Sequence, residues 1–195
     1  MTTREPDLRP SAARDRLLAT ASAVFYAEGI HSVGVDRVVA EASVTRATFY
    51  RHFPGKEDLV LAYLQSADRS VRAQVQPLLE GKLPPAEVLR AVAAAIADGI
   101  RSSGFRGCAF LNAVAEYPDP ASPVHQAVLE HRQWFLDTLA SVFARIDAAT
   151  ADAAARHFVM LRDGAMAAGC LFDPELVSDT LIAGVDGLLP APAGA

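Results

Sequence analysis

Cysteine is almost missing from this chain: two in 195 residues, Cys108 and Cys170. One distant pair does not describe a disulfide scaffold, and its spacing builds no zinc site with the nearby histidines. Free thiols are expected, with no metal and no cofactor. Long apolar runs are missing too. The most apolar stretch, residues 89–100, is short and contains Asp98, so no membrane span is expected. The first ten residues are polar and charged, unlike a secretory leader, and the expected location is the cytoplasm. The signatures of common enzyme chemistry are likewise lacking. There is no phosphate loop, no Gly-x-Ser-x-Gly elbow and no His-Glu-x-x-His pair. His125 and His131 are six apart, poorly spaced for one helix face. The expectation is a protein that is not an enzyme.

Alternating β-type patterns are scarce, whereas half the residues are hydrophobic (51%) and alanine and leucine predominate. An all-α fold follows. The net charge of −5 argues at first against a polyanionic partner. Its distribution argues otherwise. Residues 1–56 hold eight Lys/Arg and six Asp/Glu, a balance of +2, and the remainder carries −7. Only the N-terminal head is suited to nucleic acid.

Within the head, Leu17, Leu18, Ala21, Val24 and Phe25 recur at helical spacing, predicting a helix over 12–28 that Gly29 ends. Val35, Val38, Val39 and Ala42 mark a second, short helix. Thr45 is a suitable N-cap for a third, closed by Pro54, with Val44 and Phe49 placed as a hydrophobic staple. Phe49 and Phe53 point inward as core. Ala47, Thr48, Tyr50 and Arg51 then face outward, with Arg46 at the leading end. Arginine can reach guanine or phosphate, a small residue admits close approach, and Thr and Tyr hydroxyls can contact phosphates. Two short helices joined by a brief turn, the second exposing such a face, form a helix-turn-helix.

The run from Leu17 through Leu59 resembles the DNA-binding region of the tetracycline-repressor family. The resemblance rests on Phe25 and Gly29, Val38 and Ala42, the Thr-x-x-Thr-x-Tyr-x-His-Phe pattern over 45–53, and Lys56, Glu57 and Leu59. It implies that Thr45, Tyr50, His52 and Lys56 bind the phosphate backbone. Arg46, Ala47 and Thr48 lie nearer the bases, and Arg51 is a further candidate. Two positions depart from the family pattern. Ser43 stands where the turn usually has glycine, and Ala47 where glycine is frequent. A left-handed Ser43 carries about 1 kcal/mol of strain, and the Ala47 methyl can meet a thymine methyl. Arg4 and Arg9 fall in an arm, residues 1–10, expected to be disordered.

The expected organisation is a head over 11–56, a helical effector-binding and dimerisation domain over 57–189, and a disordered tail over 190–195. A long helix starts at Lys56 and is stopped or bent by Pro77. Further helices begin at Pro85, after Gly107, at Pro123, after Thr150 and at Pro174. Gly164, Ala165, Ala167, Ala168 and Gly169, then Ala183, Gly184 and Gly187, suggest close helix approach, since glycine in a helix costs about 1 kcal/mol against alanine. The resemblance implies that the last two long helices pair with their symmetry mates in a homodimer matched to a palindromic operator, with a small, mostly apolar effector releasing a repressor from its DNA. Cys108, Asn112 and Glu116 make a polar line at i, i+4, i+8. Phe105, Phe110, Leu111, Trp134, Phe135, Phe158 and Met160 supply apolar bulk for such an effector site. An alternative is a regulator of the same fold in which Cys108, near a helix N-terminus and Arg106, senses electrophiles or oxidants.

Overall fold

In the computed structural model, residues 11–190 are described, and among them are nine α-helices and no strand. They fall into two compact units that divide between Tyr63 and Leu64. The expected arm, with Arg4 and Arg9, lies outside the described residues, as does the expected tail beyond Pro190.

The first unit contains α1 (Ala12–Glu28), α2 (Val35–Glu41), α3 (Arg46–His52) and the opening turns of α4 (Lys56–Glu80). Ser11 caps α1, its hydroxyl accepting from the Arg14 amide, and Gly29 ends the helix at φ 93°. The stripe Leu17, Ala21, Val24 and Phe25 is buried against Val38 and Val39 of α2 and Phe49 of α3. Leu59, Val60 and Tyr63 complete this core from α4, and the Tyr63 ring meets Phe25 edge-on at 6.0 Å. That packing carries the first unit to Tyr63, past the boundary at residue 56 that the sequence predicts. Lys56 opens a helix, but the apolar periodicity continues two turns into it.

The second unit contains the remainder of α4 with α5 (Pro85–Arg101), α6 (Ala109–Glu116), α7 (Pro123–Ala144), α8 (Ala151–Ala168) and α9 (Pro174–Asp186). Prolines occupy the first helical position of α5, α7 and α9, where their missing N–H forfeits no bond. Ser122 and Asp173 cap the latter two through their side chains. Helix α5 packs on α9 and α7, α7 on α8, and α8 on α9. Leu89, Leu139, Phe158 and Leu181 lie at the centre of the resulting core. The buried Ser178 hydroxyl donates to the Ala97 carbonyl at 3.3 Å, fixing α9 to α5.

Pro77 does not stop α4, which runs to Glu80. Proline removes the donor to the Ala73 carbonyl, but both residues are exposed, so water can serve that oxygen. Leu78 and Leu79 then hold the last turn against the core. The glycines separate into two kinds. A Cβ on Gly169 would lie 2.8 Å from Ile100 and 2.9 Å from Phe105, and one on Gly184 would lie 3.2 Å from Leu161. Close packing within the chain explains both. Gly164 would meet nothing within 4 Å.

Candidate functional site

Helix α3 is built as its residue pattern implies. The Thr45 hydroxyl accepts from the Thr48 amide at 3.1 Å and lies 2.9 Å from the Thr48 hydroxyl. Phe49 is fully buried and Phe53 nearly so, their rings 6.0 Å apart. Truncating an anchor of that kind costs about 3–5 kcal/mol. With those rings inward, Thr45, Arg46, Ala47, Tyr50 and Arg51 are exposed on the opposite face, and Thr48, His52 and Lys56 are half-buried at its edge. The turn before α3 passes through Ser43 at φ 52°, the one non-glycine residue in the left-handed region among those described.

The cations of this unit have different employment. Arg37 clamps Glu28 with two nitrogens and reaches Glu41 at 2.7 Å, so it joins α1 to α2. Arg14 stacks over Phe53 at 5.3 Å, and Lys56 lies 5.9 Å from the Phe25 ring. The Arg16 guanidinium donates to the Ala42 carbonyl at 3.3 Å, steadying the turn. Arg51 has no ion-pair partner among the described residues. Arg46 is paired with Asp36 of α2 at 3.1 Å. Tyr50 first, and then Asp36, favour its charged form. His52 Nε2 lies 3.1 Å from the Ser11 hydroxyl. Burial, with Arg51 and Arg14 nearby, lowers its pKa, so the ring is neutral at pH 7. Asp36 and Ser11 did not emerge from the sequence. They meet α3 across 10 and 41 residues, beyond any local periodicity.

The second unit holds a cavity of about 160 Å3. Its walls are apolar, with Val71, Val75 and Leu78 of α4, Val92 and Ile96 of α5, Phe135 of α7 and Met166 of α8. Gln74, His131 and Arg162 supply its polar groups. Of the ten residues proposed for an effector site from sequence, only Phe135 lines this space. Phe158 is core, and Phe105 abuts Gly169. Phe110 instead stacks on His131, centroids 3.6 Å apart and planes within 3°. Trp134 lies beneath the Arg72 guanidinium at 4.1 Å. Asn112 is exposed and donates to the Arg106 carbonyl at 2.9 Å, while Glu116 ends α6. Cys108 is the N-cap residue of α6, is buried, and accepts from Arg162 Nη2 at 3.1 Å. Helix periodicity groups residues of one helix, whereas the cavity draws its lining from four. Met160 is not interior at all but 70% exposed.

His131 and Arg162, which line the cavity, belong to a charge cluster. Arg132 grips both Asp163 oxygens, and Arg162 donates to one of them at 2.9 Å. Asp68 receives Arg72 at 2.6 Å and His131 Nδ1 at 2.7 Å. Burial acts to raise both carboxyls, but these hydrogen bonds outweigh it and hold them below the ordinary range. Burial lowers His131 despite Asp68, leaving it neutral at pH 7.

A third feature is an apolar groove of about 790 Å3 along α8 and α9. Met160, Phe172 and Leu176 lie on it at 70%, 64% and 65% exposure, and Gly164 opens onto it.

Residues 17–63 match the family of bacterial regulatory proteins named for tetR. The chain is 34% identical over 116 residues to the transcriptional activator FasR of Mycolicibacterium smegmatis, covering 58% of this chain and 52% of that protein. It is 34% identical over 108 residues to the transcriptional regulator AcuR of Cereibacter sphaeroides, covering 51% and 49%. The chain thus spans about half the length of these curated relatives. A solved TetR-family transcriptional regulator from Streptomyces coelicolor is 66% identical, with a TM-score of 0.88 over 91% of this chain and 94% of that one. With the capped helix-turn-helix and this nearly full-length likeness together, the chain belongs to the TetR family of transcriptional regulators.

Proposed function

We propose that the protein is a homodimeric repressor that binds a palindromic operator through α3 and leaves it when a small effector occupies the second unit. The observation that carries this reading is the exposed face of α3: Thr45, Arg46, Ala47, Tyr50 and Arg51. Thr45, Tyr50, His52 and Lys56 hold the backbone, Arg46, Ala47 and Thr48 approach the bases, and Arg51 adds charge. The partner is double-stranded DNA, which places the protein in the cytoplasm. No helix among the described residues is long and apolar enough to cross a membrane.

Dimerisation is supported by the α8–α9 groove, whose exposed Met160, Phe172 and Leu176 are unusual for a free surface. A second copy of the same groove would cover them by two-fold symmetry and pair two α3 helices for two half-sites. The effector is assigned to the cavity among α4, α5, α7 and α8 instead of to the α6 polar line. The Cys108 sensing alternative is disfavoured because its thiol is buried, out of reach of a reagent in solution.

The test is fluorescence anisotropy of a duplex taken from the DNA upstream of the protein's own gene. Binding should weaken steeply with salt, because each phosphate contact releases counterions. Binding that is absent, or that does not respond to salt, would contradict the proposal.

A further inference from the structure

We infer that the effector is a small organic monoanion, a carboxylate on an apolar body of about benzene's size, with its charge placed beside Arg162. This inference rests on the effector-controlled reading above and names the chemistry of its ligand.

Size comes first. An apolar cavity of about 150 Å3 accepts benzene, and this one is of about 160 Å3. Its walls, including Val92, Ile96 and Phe135, suit a compact hydrocarbon.

Charge selects the head group. Asp163 is shared by Arg132 and Arg162, and Asp68 by Arg72 and the neutral His131. Three guanidinium groups thus face two carboxylates, an excess of one positive charge that is shared among them. The Arg162 side chain is only 11% exposed and divides its one carboxylate with Arg132, so an anion beside it meets a poorly screened cation. An anion in the cavity supplies the missing charge. A neutral ligand does not, and an amine adds to the excess.

Hydrogen bonding points the same way. Arg162 gives Nη1 to Asp163 and Nη2 to Cys108, and its Nε has no partner among the described residues. The guanidinium therefore retains donor capacity for a ligand. His131 is anchored through Nδ1, and its Nε2 and the Gln74 amide likewise lack partners among the described residues.

The test uses the full-length protein with benzoate, benzyl alcohol and benzylamine, followed by calorimetry and by fluorescence of Trp134, the sole tryptophan. Benzoate should bind at least about tenfold more tightly than benzyl alcohol, as expected for a charge-assisted contact, and benzylamine should not bind. Arg162→Gln should abolish the preference for the acid while benzyl alcohol binding persists. Because that variant disturbs Asp163, Ala95→Phe provides a second arm. It places a ring at the exposed lip of the cavity on α5, at a residue with no bond to the cluster, and should weaken binding of acid and alcohol alike. Equal binding of acid and alcohol would overturn the inference. Failure of benzoate to bind, or preference for it retained in Arg162→Gln, would overturn it equally. Repeating the titrations on the DNA complex separates the two readings. Benzoate that binds without releasing DNA removes effector control and leaves the anion site standing. Benzyl alcohol that alone binds and releases DNA removes the anion site and leaves effector control standing.

Discussion

Arg46, at the leading end of α3, is held 3.1 Å from Asp36 at the start of α2, with both side chains mostly exposed. An exposed pair of this kind is well screened by water and contributes little, so DNA can take the guanidinium from Asp36 at little cost. Asp36 therefore keeps the free arginine in one place and competes with the operator. Arg46→Ala should weaken operator binding about tenfold or more, in line with the loss of a good base or phosphate contact. Asp36→Asn should tighten it about threefold by removing a competing charge. Anisotropy at two salt concentrations measures both, and equal loss from the two variants would show that the pair is needed intact.

Ser43 lies at φ 52° in the turn between α2 and α3, a region costing an L-residue about 1 kcal/mol. Ser43→Gly should raise the melting temperature by about 2–4 °C and leave operator affinity unchanged. Ser43→Val should lower it, because a β-branched side chain tolerates that backbone poorly. Thermal unfolding by circular dichroism reads both.

Stability should fall in two stages with acid. His131 ordinarily titrates near 6.5 and is lowered by burial. The unfolded chain then binds more protons below 6.5, and stability declines from there until the folded value is passed. Asp68 and Asp163 are lowered from 3.8 by their hydrogen bonds. Their contribution is present above that value and is lost as pH falls through the folded ones. His131→Gln can keep a hydrogen bond to Asp68 but cannot titrate. It should shrink the fall of the urea midpoint between pH 7 and 5, leaving the share of His52, which burial also lowers, and it should keep the second decline in place.

Leu176 and Met160 occupy the exposed groove of α8 and α9. Replacing both with glutamate should convert a dimer into a monomer by sedimentation, with helix content kept, since neither lies in the core. Gly169→Leu should instead destabilise the chain itself, as a Cβ there would lie below 3.0 Å from Ile100 and Phe105.

Legibility in the sequence followed the range of the interaction. Helix α3 was readable because its determinants are local: Thr45 caps Thr48, and Phe49 and Phe53 are one turn apart. The proline starts at 85, 123 and 174 were readable for the same reason. Pro77 left stop and bend both open, because whether a helix continues past proline depends on whether water can reach the orphaned carbonyl. The cavity was out of reach, since Gln74, Ile96, His131 and Arg162 come together from four helices. Arg162 did leave a signal, a lone cation after Phe158, Val159, Met160 and Leu161. Glycine was ambiguous, because Gly169 answers to a neighbour within the chain and Gly164 does not.

The central claim is DNA recognition by α3, and hydroxyl-radical footprinting of the upstream DNA tests it most directly. The account predicts two protected half-sites about one or more helical turns apart, lost in the Arg46→Ala, Tyr50→Ala double variant while its fold is retained. Protection that survives that variant unchanged would contradict it.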